Sequence, residues 1–427
     1  MFAAGGTLFR FQGRTPVGKR IAAIGFIFFC TAIAWAILAS TIFYRTYSSD
    51  SQLRGKVASS WGAPQEQAPP TATYVEGSRR QVPAVENGKE ILRTIDDRRH
   101  IALTLQKSRV DAALHADYRR KGLLWYSTYQ VQFAGVYEFV NPDDQLRDVT
   151  FTLHLPAEQA IYDDMVFTVN GSPLILESQK TETYGRTTVL PHQMAVLNVG
   201  YRSQGLDTWR YNFGDQVSQI RDFELRLTAD FKGFDFPENT LSPTYENRTG
   251  NGSELVWSYK NLVSGYKIGL ALPQKLQPGP LAGRISYFAP VSLLFFFFVL
   301  FVLTTIRGIN LHPMNYFFLA CAFFSFHLLM AYLVDHISIH LAFAICSAVS
   351  VFLLVSYLRL VVGMRFAAFE AGLAQVIYLI LFSYAFFFEG FTGLAITIGA
   401  ILTLFFTMQM TARVRWAEKF ATGPVLG

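Results

Sequence analysis

Six long apolar runs and one long interval of alternating apolar and polar residues organise this 427-residue chain. The first run, Ile21 to Tyr44, holds 24 residues without a charge and is framed by Lys19-Arg20 and Arg45. About 20 apolar residues cross a bilayer, whereas the core of a cleaved secretory signal has only about 7–15. An uncleaved transmembrane helix at 21–44 is therefore expected, after a short N-terminal segment at 1–20. Small residues such as Ala34, Ala36, Ala39 and Ser40 leave cleavage chemically conceivable. Five further runs follow Arg284: Ile285–Ile306, Met314–Val334, Ile337–Leu358, Ala367–Phe388 and Phe391–Met410. They predict a five-helix bundle at 285–410 and a terminal segment at 411–427. The run Leu293-Leu294-Phe295-Phe296-Phe297-Phe298 has no helical stripe, and lipid requires none. At about −0.3 to −0.6 kcal/mol for each central Leu, Ile, Val or Phe, every run is apolar enough to insert.

Between the first two runs lies an insertion at 45–284, long enough for a core of its own. Ser59-Ser60-Trp61-Gly62-Ala63-Pro64 and Gln67-Ala68-Pro69-Pro70 read as a linker into it, and the charged stretch Glu86–Leu105 as a short helix. After Gly122 the period becomes two, which is the strand signal. Val149, Phe151, Leu153 and Leu155 alternate with Thr150, Thr152 and His154; Phe223, Leu225 and Leu227 alternate with Glu224, Arg226 and Thr228. Met165–Val169 stops at Asn170-Gly171, the dipeptide suited to a tight hairpin with positive φ. Val256–Leu270 reads as a strand pair broken near Ser264-Gly265. The expected fold is an integral membrane bundle of six transmembrane helices with an inserted all-β, sandwich-like domain.

Composition agrees. Hydrophobic residues make up 51% of the chain and charged residues 16%, against about a quarter charged in a soluble protein. An ordinary soluble enzyme and a disordered chain are both excluded as first readings. The net charge of +6 does not point to nucleic acid. Thr46 to Ile306 carries 26 Lys/Arg and 27 Asp/Glu; the other 11 basic and 4 acidic residues lie in or beside the apolar runs. One set of short connections holds Arg10, Arg14, Lys19, Arg20, Arg307, Arg359, Arg365, Arg413, Arg415 and Lys419. The opposite set, Asp335-His336 and Glu389-Gly390, holds no Lys or Arg. The positive-inside rule then puts both termini in the cytoplasm and exports the β domain. Cys30, Cys321 and Cys346 all fall inside predicted spans, so the exported domain is expected to fold without disulfides.

Leu311-His312-Pro313-Met314-Asn315-Tyr316 opens the third run, which continues through Phe326-His327-Leu328-Leu329-Met330-Ala331-Tyr332 to Val334-Asp335-His336. This resembles the CreD-type inner-membrane protein family, associated with colicin tolerance and envelope stress. In that family a Leu-His-Pro-Met-Gln-Tyr opening leads to a Ser-Glu-His exit; Asn315 here replaces the Gln, and Val334-Asp335 the Ser-Glu. Trp61-Gly62-Ala63-Pro64-Gln65 is similar to the family's Gly-Pro-Gln segment, and Arg120-Lys121-Gly122-Leu123 with Tyr129 and Phe133 to its strand opening. The likeness is clearest over residues 311–360, and the family's late Trp-Pro-Phe motif is not recognisable. The resemblance implies a multi-pass protein of the cell inner membrane with a large periplasmic domain, and marks His312, Pro313, Met314 and Tyr316 as motif residues.

No Walker loop, G-x-S-x-G, H-E-x-x-H or paired-Cys metal pattern occurs, so no catalytic residue, cofactor or metal is expected. The sharpest polar group is Asp335, His336 and His340 at the outer ends of the third and fourth runs. His and Asp can ligate zinc, and the two imidazoles share a face if the turn is helical. A solvated polar turn is the simpler reading. Glu389 stands at the same level. His327 is ionisable and inside a span, where a proton relay competes with a structural hydrogen bond. Glu370 is expected to snorkel or to pair with Arg365 or Arg359. His312-Pro313 suits a helix start. Ala32/Ala36, Ala344/Ala348 and Ala395/Gly399 have the four-residue spacing of close helix contacts. Asp143-Asp144 and Asp163-Asp164 read as turn residues rather than calcium ligands, and Trp125, Tyr126, Tyr129 and Tyr137 as core or a binding face.

These readings favour a non-enzymatic envelope protein. Its partners are the lipid bilayer and a periplasmic protein or cell-wall component bound by the β domain, with no nucleic acid. The alternative is a transporter or lipid-handling protein, with His327, Asp335, His336 and His340 lining an outward polar pocket.

Overall fold

The computed structural model describes residues 17–86, 89–122, 124–158, 160–214, 218–250, 252–388, 390–412 and 414. Arg10, Arg14, Leu123, Glu389, Asn251, Arg413, Arg415 and Lys419 lie outside them. The chain divides into two compact units: 1–50 with 122–124 and 276–427, and 51–121 with 125–275.

The first unit is helical. Its apolar segments form six helices long enough to cross a membrane. They are α1 (Val17–Trp61), α2 (Pro278–Arg307), α3 (Pro313–Leu333), α4 (Ile339–Val362), α5 (Phe366–Phe387) and α6 (Thr392–Thr411). Pro278 and Pro280 open α2, where a missing N–H costs nothing, and Gly308 closes it in the left-handed conformation at φ 69°. Trp35, Phe296, Leu319, Phe323, Phe326, Ala342 and Leu354 lie in one buried cluster. The expected small-residue contacts are not those used. Ala344, Ala348, Ala395 and Gly399 face outward. Close approach occurs instead at Gly283, where a Cβ would stand 2.8 Å from the Phe43 ring. Four-residue spacing identifies a stripe but not the side on which a neighbour packs.

The second unit is built from strands. In chain order they begin with β1 (Gln65–Gln67), β2 (Thr71–Glu86), β3 (Lys89–Ala102), β4 (Thr104–Ala116), β5 (Arg119–Lys121) and β6 (Leu124–Tyr126). Next come β7 (Thr128–Val140), β8 (Arg147–His154), β9 (Tyr162–Val169), β10 (Ser172–Pro173), β11 (Glu177–Gln179) and β12 (Glu182–Val189). The last are β13 (Met194–Leu206), β14 (Thr208–Tyr211), β15 (Ser218–Ala229), β16 (Tyr245–Thr249), β17 (Gly252–Ser264) and β18 (Ile268–Ala271). An eight-stranded sheet runs β10-β9-β13-β7-β4-β15-β17-β16, and a five-stranded one β11-β12-β8-β2-β3. A small sheet, β1-β14-β18, and the pair β5-β6 complete the set. The alternation read from sequence holds: Val149, Phe151 and Leu153 of β8, and Leu225 and Leu227 of β15, are all fully buried. Phe139 of the large sheet meets Phe151 of the second edge-on at 5.8 Å, so both sheets share one core. Asn170 and Gly171, at φ 50° and 79°, turn β9 into β10 as their identities require.

Two expectations are corrected. Glu86–Leu105 is not a helix: β3 pairs antiparallel with β2 from Thr73↔Ala102 to Glu86↔Lys89. Charge density suggests a solvated helix, but cross-strand pairing, which no local pattern records, decides. Nor is 59–70 a plain linker. Helix α1 continues to Trp61, and β1 joins β14 in parallel with Gln65 and Gln67 buried. Gln65 Nε2 donates to Ser203 Oγ (2.8 Å) and the Gln204 carbonyl (2.9 Å), and Gln67 Oε1 accepts from Tyr201 (2.7 Å). Gly62, at φ 116°, has no room for a Cβ against the Gln204 carbonyl.

Beside β2, the Tyr74 hydroxyl donates to Asp143 (2.7 Å) and Arg147 Nε donates to the same carboxylate (2.7 Å). The Tyr74 bond first, and Arg147 second, hold the Asp143 carboxyl below its ordinary range and outweigh its partial desolvation. A lowered folded-state pKa stabilises above the unfolded value, and that contribution is lost as pH falls through the folded one. Asp143→Asn is therefore expected to lower the urea midpoint of the solubilised chain at pH 7. The two midpoints should converge toward pH 3; a constant gap across that range would disprove the linkage.

Candidate functional site

Asp335, His336 and His340 are close in sequence but are not assembled into one site. Helix α3 ends at Leu333 and α4 starts at Ile339, so the connection is not helical and His336 and His340 do not share a helix face. Both imidazoles are exposed, and the His340 ring lies 5.2 Å from that of Phe387. Asp335 pairs with Arg45 at 2.6 Å, and the Arg45 guanidinium lies 5.5 Å from the centroid of Tyr332. This fastens α1, at Arg45, to the C-terminal end of α3. Among the described residues, no three His, Cys, Asp or Glu side chains are grouped closely enough to hold a metal ion.

His327 is fully buried, about two helical turns from Asp335. Its Nδ1 lies 3.1 Å from the Phe323 carbonyl, Trp35 meets the ring edge-on at 5.4 Å, and Nε2 has no partner. His312 caps α3: its Nδ1 accepts from the Met314 N–H (3.2 Å), with Pro313 in the first turn. Met314 is exposed, and Tyr316 is buried edge-on against Phe297 at 5.3 Å. The motif residues thus set where α3 begins and how it docks on α2. Glu370 pairs with Arg307 of α2 at 2.6 Å rather than with Arg365 or Arg359.

The sequence reading passed over Gln375. It lies between two π-helical turns of α5, Phe366–Ala371 and Val376–Leu381, a backbone irregularity frequent at functional positions. Gln375 Nε2 donates to Ser350 Oγ of α4 (2.8 Å), which donates to the Ala322 carbonyl of α3 (2.5 Å). Both side chains are fully buried, so three helices are joined by one polar chain. An amide inside an otherwise apolar run was the available signal.

The β unit carries a groove of about 720 Å³ on the face of the eight-stranded sheet turned away from the core. Register explains its composition. On that face Gln204 stands beside Gln130 and Gln130 beside His115. In the next row Arg202, Gln132, Ala113 and Thr228 follow one another across four strands. Ala113 and, one row further, Ala134 and Gly200 keep the floor low. His115 pairs with Asp230, and Arg202 with Asp163 and Asp164, so carboxylates engage the basic group at each end. Ile161, 70% exposed, forms an apolar rim. Tyr162 beside it bonds both ways to the Ala157 backbone at 2.9 Å, and burial pushes its hydroxyl up to about 12. Asp163 and Asp164, read from sequence as turn residues, lie instead in β9, and Asp163 lines the groove. Trp125, Tyr129 and Tyr137 do not: Tyr129 and Tyr137 are core, and Trp125 carries Lys275 Nζ 4.6 Å from its ring centre.

Residues 258–417 match the family model described as Inner membrane protein CreD. That span, 160 of the 427 residues, is similar to the CreD family. The matched range begins within β17 and covers α2 to α6, so the CreD match contains the His312–Tyr316 motif but none of the groove. No curated protein matches the chain. Among solved structures, a Legionella pneumophila protein named for nutrient binding is 11% identical, with a TM-score of 0.31, covering 54% of this chain and 76% of that one. An M1 zinc metallopeptidase of Deinococcus radiodurans is 9% identical, with a TM-score of 0.27, covering 39% and 42% respectively. Likenesses this distant carry no argument about fold or chemistry.

The polar chain through Gln375 gives a direct test of packing in the bundle. Ser350→Ala strands the buried amide and is expected to cost about 1 kcal/mol in unfolding of the solubilised chain. Ser350→Ala combined with Gln375→Leu should recover most of that loss. Additive losses would show that the two side chains do not act together.

Proposed function

We propose that this CreD-family protein is a non-enzymatic component of the inner membrane whose β unit binds an envelope protein or cell-wall component on the periplasmic side. Both termini then lie in the cytoplasm, as the distribution of Lys and Arg among the short connections favours. The observation that carries the reading is the groove: a recessed surface on the large sheet, flanked by the Arg202–Asp163 and His115–Asp230 pairs and of the size that holds a ligand. The resemblance to the CreD-type family supports a contribution to envelope integrity and toxin tolerance. Deleting the gene is expected to alter survival under detergents, colicin-type toxins and wall-active drugs, with the full chain restoring it. Unchanged tolerance across all three would defeat the proposal.

Transport or lipid handling by the helices has one observation in its favour, the π-helical turns on either side of buried Gln375. On that reading, Gln375→Leu combined with His327→Phe abolishes complementation even though the chain reaches the membrane. Full complementation by that variant removes it.

A further inference from the structure

We propose that the groove on the eight-stranded sheet binds a glycan strand bearing N-acetyl groups; this rests on reading the β unit as a binding domain. The argument begins with three carboxamides. Gln130, Gln132 and Gln204 lie on adjacent strands within two rows of the same face. Each carboxamide offers two N–H donors and one carbonyl acceptor. Among the described residues none of the three side-chain amides has a hydrogen-bond partner; the bond from Gln65 to Gln204 ends on the backbone carbonyl. An acetamido group presents the complementary pair, one carbonyl and one N–H, and its methyl group suits the exposed Ile161 at the rim.

Charge narrows the choice. Arg202 is already engaged by Asp163 and Asp164, and His115 by Asp230. A phosphate-rich polymer would have to break those pairs, whereas a neutral polymer leaves them in place as walls. Position narrows it further. A peptide gains most by adding its backbone to a sheet edge, where N–H and C=O groups stand unpaired. Here the ligand meets a sheet face, where strand backbone groups are already paired and only side chains project. A saccharide is recognised by side chains and needs no backbone partner.

The test uses the full chain in a non-glycosidic detergent, titrated calorimetrically with the β-1,4-linked tetramer of N-acetylglucosamine and with the glucose tetramer of the same linkage. The expected result is saturable binding of the acetylated tetramer, with the glucose tetramer at least about tenfold weaker. Gln130→Ala/Gln132→Ala should weaken the acetylated tetramer about tenfold or more. Both glutamines are exposed, so an unchanged melting curve is expected and confirms that the fold survives. Equal affinity for the two sugars, no binding, or binding untouched by the double substitution would each overturn the glycan assignment. If the double variant also restores stress tolerance, the glycan proposal fails while the envelope role stands. If deletion changes no tolerance, the envelope role fails, whatever the sugars do.

Discussion

Polar atoms taken out of water are costly to leave unpaired, and in both units buried side-chain hydrogen bonds link separate elements. In hydrocarbon the cost of an unpaired group is several kcal/mol, which is why the apolar segments are helices at all. Within them the few polar side chains work as cross-links: Arg45 to Asp335, Arg307 to Glu370, and Gln375 through Ser350 to the Ala322 carbonyl. The β unit applies the same constraint in a core that could have been wholly apolar. Gln65 and Gln67 are buried by threading their amides onto Ser203, Gln204 and Tyr201, and so tie β1 to the large sheet.

What could be read from the sequence was whatever repeats locally. Apolar runs of about 20 residues and period-two alternation are written in consecutive positions, and the six helices, β8, β15 and the Asn170-Gly171 turn appear where those signals stand. The hairpin of β2 and β3 was misread because Asp96, Asp97, Arg98 and Arg99 look like a solvated helix, and strand pairing is not a local property. The continuation of α1 to Trp61 was hidden by Ser59, Ser60 and the following Gly-Ala-Pro, which carry breaker composition one turn too early.

The groove illustrates a deeper limit. Its residues come from β4, β7, β13, β15 and the start of β9, and Gln130 meets Gln204 only through register. No window along the chain contains both. Asp163 was visible, but as a turn residue, because its partner Arg202 lies on another strand. The outer-end cluster failed in the opposite sense: Asp335, His336 and His340 are neighbours in sequence, yet Asp335 turns toward Arg45 while the imidazoles stay exposed.

One feature of the large sheet bears on how the chain acquires its structure. All its neighbouring strands run antiparallel except β4 and β15, which pair in parallel from Ser108↔Phe223 to Leu114↔Ala229. The partner of β4 is thus a strand 115 residues further on, and the pairing forms only after β7 to β14 have been made. Contacts that distant slow folding, because the loop entropy is lost before the contact forms. Until β15 arrives, one edge of β4 is an open template for other strands, with the same aggregation hazard as any exposed edge. A nascent chain halted just before β15 holds the strands on one side of the large sheet, from β10 to β4, and none of those beyond.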